Sequence, residues 1–75
     1  MEQIHIGSII RCELRKQNKS NRWLAEQIGV IPRTINKIFL KQDIDTVQLF
    51  RISKVLQVDL FVYYSQVLKE QIGKD

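Results

Sequence analysis

The sequence predicts an all-α fold, and three observations point to it. Apolar residues return every three or four positions in several segments, as in Ile6, Ile10 and Leu14. No two-residue alternation runs long enough to make a half-buried strand. Between the periodic segments stand residues that start or stop helices, among them Ser20, Gly29, Pro32 and Asp45. Seventy-five residues close a single hydrophobic core, so residues 1–75 read as one domain.

The first helix is expected from Ile4 to Gln17, its apolar stripe set among Arg11, Glu13, Arg15 and Lys16. Asn18, Lys19 and Ser20 interrupt it, and the Ser20 hydroxyl suits the N-cap of a second helix of about two turns. Leu24, Ala25 and Ile28 form the buried face of that helix, up to Gly29. Gly29 can take the left-handed conformation that ends a helix, and Pro32 fits the first turn of the next, where its missing N–H costs nothing. The motif of two helices and a tight turn therefore spans about 20–40. Ile35, Ile38 and Phe39 bury one side of helix three, which leaves Arg33, Asn36, Lys37 and Lys41 facing largely outward. Asp45 and Gln48 resemble a capping box ahead of Leu49, Ile52, Val55 and Leu56, which sets helix four at about 45–57. Asp59 can cap helix five, about 59–71.

Composition removes several function classes. With 44% hydrophobic and 27% charged residues the chain has the make-up of a folded globule. Cys12 has no second cysteine to pair with, and His5 is the one histidine, so neither an internal disulfide nor a zinc set can be assembled. Cys12 is expected to be small and partly buried, and His5 to be solvent-exposed. No cofactor is implied: there is no carboxylate pair, no nucleophile with a nearby base and no glycine-rich phosphate loop, so an enzyme is not expected. The longest apolar run, Leu60 to Tyr64, is too short to span a bilayer, and no basic-then-apolar leader stands at the N-terminus. The expected location is cytoplasmic, at the nucleoid. The net charge of +4 is unevenly spread: residues 1–42 carry eight basic side chains against three acidic ones, and residues 43–75 carry four against five. A basic half suits a polyanion bound on one side.

The stretch from Ser20 to Ile38 resembles the helix-turn-helix of the Cro/phage-repressor (Xre-type) family. Ser20-Asn21, Leu24-Ala25, Gly29-Val30, Thr34-Ile35 and Ile38 carry the resemblance, with Leu49, Ile52, Lys54, Leu56, Val58 and Leu60 downstream, so that it covers about residues 6–64. It implies a five-helix bundle and sequence-specific binding of double-stranded DNA, with regulation of transcription as the purpose. The sequence departs from the family pattern at Ile31, which offers no capping oxygen before Pro32; at Glu13 and Lys19, which stand where apolar residues are usual; and at Gln57, where glycine is usual. Leu14 and Trp23 are expected to fill the core volume that Glu13 and Lys19 leave; Trp23 is read as core or core rim in preference to a base-stacking platform.

In a helix-turn-helix the second helix fits the major groove and its side chains reach base edges, while the first lies across the backbone. By position, the resemblance makes Arg33, Asn36 and Lys37 the base contacts: arginine pairs bidentately with guanine and asparagine with adenine. Asn21 and Arg22, in the first turn of helix two, and Lys19 and Lys41, flanking the motif, become the phosphate contacts. Helix five carries two apolar stripes. One, Leu60, Tyr63 and Val67, is expected to close the core; the other, Phe61, Tyr64, Leu68 and Ile72, is either a homodimer interface or a longer packed core. The competing function is a protein-interaction module on the same fold that does not bind DNA.

Overall fold

The computed structural model describes residues 4–73 and contains five helices and, among the described residues, no strand. They are α1 (Ile6–Lys16), α2 (Asn21–Ile28), α3 (Pro32–Phe39), α4 (Thr46–Leu56) and α5 (Val62–Gly73). The all-α expectation and the number of helices hold.

Local chemistry explains most of the boundaries. Ser20 Oγ accepts from Trp23 N at 3.0 Å at the start of α2, and Asp45 Oδ1 accepts from Gln48 N at 2.8 Å at the start of α4. Gly29 ends α2 in the left-handed region, at φ 75° and ψ 34°, and Val30 N donates to Ala25 O across it. Ile31 gives α3 no side-chain cap, and Pro32 occupies its first turn. Two ends differ from expectation. Helix one starts at Ile6 rather than Ile4, because His5 is its N-cap and its Nδ1 accepts from Ser8 N at 3.2 Å. Helix five runs from Val62 to Gly73 rather than 59–71: the Asp59 carboxylate accepts from Phe61 N at 3.0 Å, two residues on, and this turn places Leu60 and Phe61 outside the helix.

The core gathers the predicted faces. Ile6, Ile10 and Leu14 meet Leu24, Ala25 and Ile28, Ile35 and Ile38, and Leu49, Ile52 and Leu56, with Leu60 closing the end. Each buried Leu or Ile contributes about 1.5–3 kcal/mol relative to exposure. Trp23 packs partly buried against this cluster, as expected for a core-rim residue, and Leu14 lies inside it. α3 packs on α1 and α2, and α4 on α2.

Backbone hydrogen bonds knit the crossing of α1 and α3. A helix start leaves four N–H groups without an intrahelical acceptor; here Ile6 N donates to Gln42 O at 2.9 Å and Gly7 N to Lys41 O at 3.0 Å, in the loop after α3. Gly7 makes this approach sterically feasible, since a Cβ there would press on the carbonyl oxygens of Ile38, Phe39 and Lys41. On the far side, Arg51 Nη2 donates to Ile28 O at 2.7 Å and so holds the last carbonyls of α2 against α4, while Gln17 Nε2 donates to Leu56 O at 2.9 Å.

α5 contributes no buried residue, and the molecule measures 45 Å along its longest axis against 22 and 21 Å along the others. The two stripes expected of helix five are not realised as drawn. Leu60 is buried, but Tyr63 stays outside the core cluster at 37% exposure, while Phe61 and Tyr64 from the other stripe pack against the core. Phe61, just before α5, and Tyr64 within it face the core, Val67 is half-buried, and Leu68 and Ile72 are left to solvent at 57% and 69% exposure. Cys12 is also exposed rather than partly buried: Ile10 and Leu14 set the inner side of α1, and Cys12 falls between them on the outer one.

Candidate nucleic-acid interface

The outward side of α3 and the start of α2 form one surface. Pro32 and the extended Ile31 launch α3 so that Ile35 and Ile38 turn inward. The 3.6-residue period then puts Arg33, Asn36 and Lys37 together on the opposite side, all three exposed. Asn21 and Arg22 are the first two residues of α2, where the helix presents its positive end. Between the two helices Asn21 Nδ2 donates to Asn36 Oδ1 at 2.8 Å. One residue proposed for bases and one proposed for phosphate are thus bonded to each other.

The remaining predicted residues flank this surface. Lys19 holds its Nζ 4.8 Å from the centre of the Trp23 ring, a cation–π contact that keeps the ammonium beside the start of α2. Lys41 lies beyond α3, its carbonyl engaged by Gly7 N and its side chain exposed. Among the described residues the ion pair found joins Lys16 to Glu13 at 3.6 Å, so no carboxylate of the described residues pairs with Arg33, Lys37, Arg22, Lys19 or Lys41.

Two residues join the surface that position along the chain did not single out. Arg11 and Arg15, one turn apart on α1, share a cleft of about 310 Å³ with Asn21, Asn36, Phe39 and Leu40. Both arginines count toward the basic half of the sequence, but their place beside Asn36 depends on the angle at which α1 crosses α3. The signal in the sequence was their four-residue spacing on the polar side of the first helix.

A second concavity, about 460 Å³, lies between Ile4, the loop at Gln42 and Asp43, and Tyr64, Val67, Leu68 and Gln71 of α5. There burial, and secondarily the Asp43 carboxylate, hold the Tyr64 phenol above its ordinary value. No group of three or more His, Cys, Asp or Glu side chains converges among the described residues, and no helix there is long and apolar enough to cross a membrane.

Comparison of the chain with protein-family models, with curated proteins and with solved structures returns no match.

Proposed function

We propose that the protein binds double-stranded DNA sequence-specifically, laying α3 in the major groove, and that it regulates transcription at the nucleoid by occupying its sites. The observation that carries this reading is the joint exposure of Arg33, Asn36 and Lys37 on α3 beside the positive end of α2, with neither Arg33 nor Lys37 in an ion pair among the described residues. An exposed α-helix with such a face fits the width of the groove, and its arginine can take guanine O6 and N7 together. Asn21, Arg22, Lys19 and Lys41 supply phosphate contacts, which set register and make affinity fall with salt. The chemistry of the face is binding, without a nucleophile or an acid–base pair that would turn over a substrate.

Selection from a pool of random duplexes, at two salt concentrations and with Arg33→Ala alongside, tests the proposal. The expected result is a short enriched site that Arg33→Ala loses or relaxes, with a penalty of roughly 1–3 kcal/mol at one base pair. Weak, salt-sensitive binding with no enriched site and no effect of Arg33→Ala would instead favour a protein-interaction module. That second reading draws on one specific observation, the exposed Leu68 and Ile72 of α5. The same two side chains are what remains of the expected homodimer stripe, since Phe61 and Tyr64 pack toward the core.

A further inference from the structure

We propose that the cleft between α1 and the α2–α3 pair is a phosphate site, in which Arg11 and Arg15 grip one backbone phosphodiester of the duplex while α3 occupies the groove. The inference rests on the DNA-binding reading and extends its footprint to a helix that reading does not use.

The cleft is lined by Arg11, Arg15, Asn21, Asn36, Phe39 and Leu40, and no acidic side chain lines it. Both arginines are exposed, and the carboxylate of Glu13 is paired with Lys16. Each guanidinium carries five N–H donors in a planar fork that matches two phosphate oxygens, and two of them one helical turn apart can close on a single anion. Asn36 gives its Oδ1 to Asn21, which leaves its Nδ2 as a further donor in the lining. Phe39 and Leu40 add an apolar wall. Such a wall strengthens the attraction of the arginines for an anion, and Leu40, 81% exposed, offers deoxyribose a surface to pack on. The site also touches the proposed reading face, because Asn36 belongs to both. An anchored phosphate in the cleft would therefore fix the register of α3 from the α1 side, complementing Asn21 and Arg22.

The test is equilibrium binding to duplex DNA over a range of salt concentration, comparing the intact chain with Arg11→Gln/Arg15→Gln and, as a control on α5, with Lys69→Gln. Both arginines lie outside the core, and circular dichroism confirms that the double variant is folded. Loss of one phosphate contact lowers the slope of log affinity against log salt by about 0.9. The double variant is expected to show that drop together with weaker binding, while Lys69→Gln keeps the original slope. An unchanged slope in a folded double variant overturns the phosphate site, even if Arg33→Ala still abolishes site preference and so upholds DNA reading. Should the intact chain show no salt-dependent duplex binding at all, the DNA reading falls and takes this site with it. Inorganic phosphate is the second probe, followed through the arginine Nε–H resonances. Saturation by free phosphate at millimolar concentration, with the duplex slope unaffected by the double variant, assigns the cleft to a small anion and overturns the phosphodiester.

Discussion

Asn21 on α2 donates from Nδ2 to Oδ1 of Asn36 on α3 at 2.8 Å, across fifteen residues of sequence. The bond spans the turn at Gly29 and ties the positive end of one helix to the polar side of the next. A bidentate contact to adenine needs both atoms of the asparagine amide, one to accept from N6 and one to donate to N7. With one lone pair of Oδ1 engaged, Asn36 keeps the second lone pair and both Nδ2 hydrogens, and the bond to Asn21 fixes the direction in which they point.

Asn21→Ala separates this positioning role from stability. An exposed hydrogen bond contributes about 1 kcal/mol at most, so the melting temperature should fall by no more than about 4–8 °C. Under the DNA-binding proposal, released Asn36 changes its base preference, and affinity for the selected site drops roughly tenfold, equivalent to about 1.4 kcal/mol. Affinities for a set of single-base site variants measure both effects. Identical preferences at every position in Asn21→Ala and the intact chain would show that the pair does not orient Asn36.

Gly7→Ala tests the crossing of α1 and α3. The added Cβ would press on the carbonyl oxygens of Ile38, Phe39 and Lys41, which are backbone atoms and cannot swing away as a flexible side chain would. Relief requires moving α1 outward, which weakens the bonds from Ile6 N and Gly7 N to the loop. Overpacking of this kind costs about 1–3 kcal/mol. Urea titration should show a lower midpoint with little change in slope; an unaltered midpoint would mean that the crossing is not close.

The helix ends were legible because capping is local: Ser20, Gly29, Pro32 and Asp45 act on residues within a few positions of themselves. The buried faces followed from period alone, since Ile6, Ile10 and Leu14 are spaced by one turn. Neither rule reaches across the fold. Gly7 reads as an ordinary residue near a helix start until the carbonyls after α3 are brought to it, and Arg11 and Arg15 read as solvated charges until α1 is laid beside Asn36. Helix five was misplaced because Asp59 can serve a helix cap or a short turn equally well, and the turn it makes with Phe61 N moves the helix start to Val62. With two apolar stripes at helical spacing on that helix, the inner side could not be chosen before the packing was known.

Gln57 ends α4 in the left-handed region at φ 57° and ψ 44°, where a side chain is strained and glycine is not. The turn itself is sound, since Val58 N donates to Ser53 O at 3.1 Å across it. Gln57→Gly keeps those bonds and removes the Cβ penalty. It is expected to stabilise the fold by about 1 kcal/mol and so to raise the melting temperature by about 4–8 °C. A lower melting temperature in Gln57→Gly would show that the glutamine side chain contributes more than its backbone strain removes.

Tyr64 gives stability a dependence on alkaline pH. Burial disfavours the phenolate, and the nearby Asp43 carboxylate disfavours it further, so the folded state holds the phenolic proton more tightly than the unfolded chain, for which the ordinary value is 10.0. An acid whose proton is held more tightly in the folded state adds stability fully below that ordinary value. Its contribution is lost as pH rises through the higher folded value, because the unfolded chain then ionises first. Tyr64→Phe keeps the ring against the core and removes the titration. The stability difference between the intact chain and Tyr64→Phe should therefore be constant up to about pH 9 and shift in favour of Phe above about pH 10. Asp43→Asn should weaken that shift without removing it, since burial is the larger cause. Urea midpoints across this range measure the effect, and a difference that stays constant to about pH 11 would mean that the Tyr64 hydroxyl is as well solvated in the fold as in the unfolded chain.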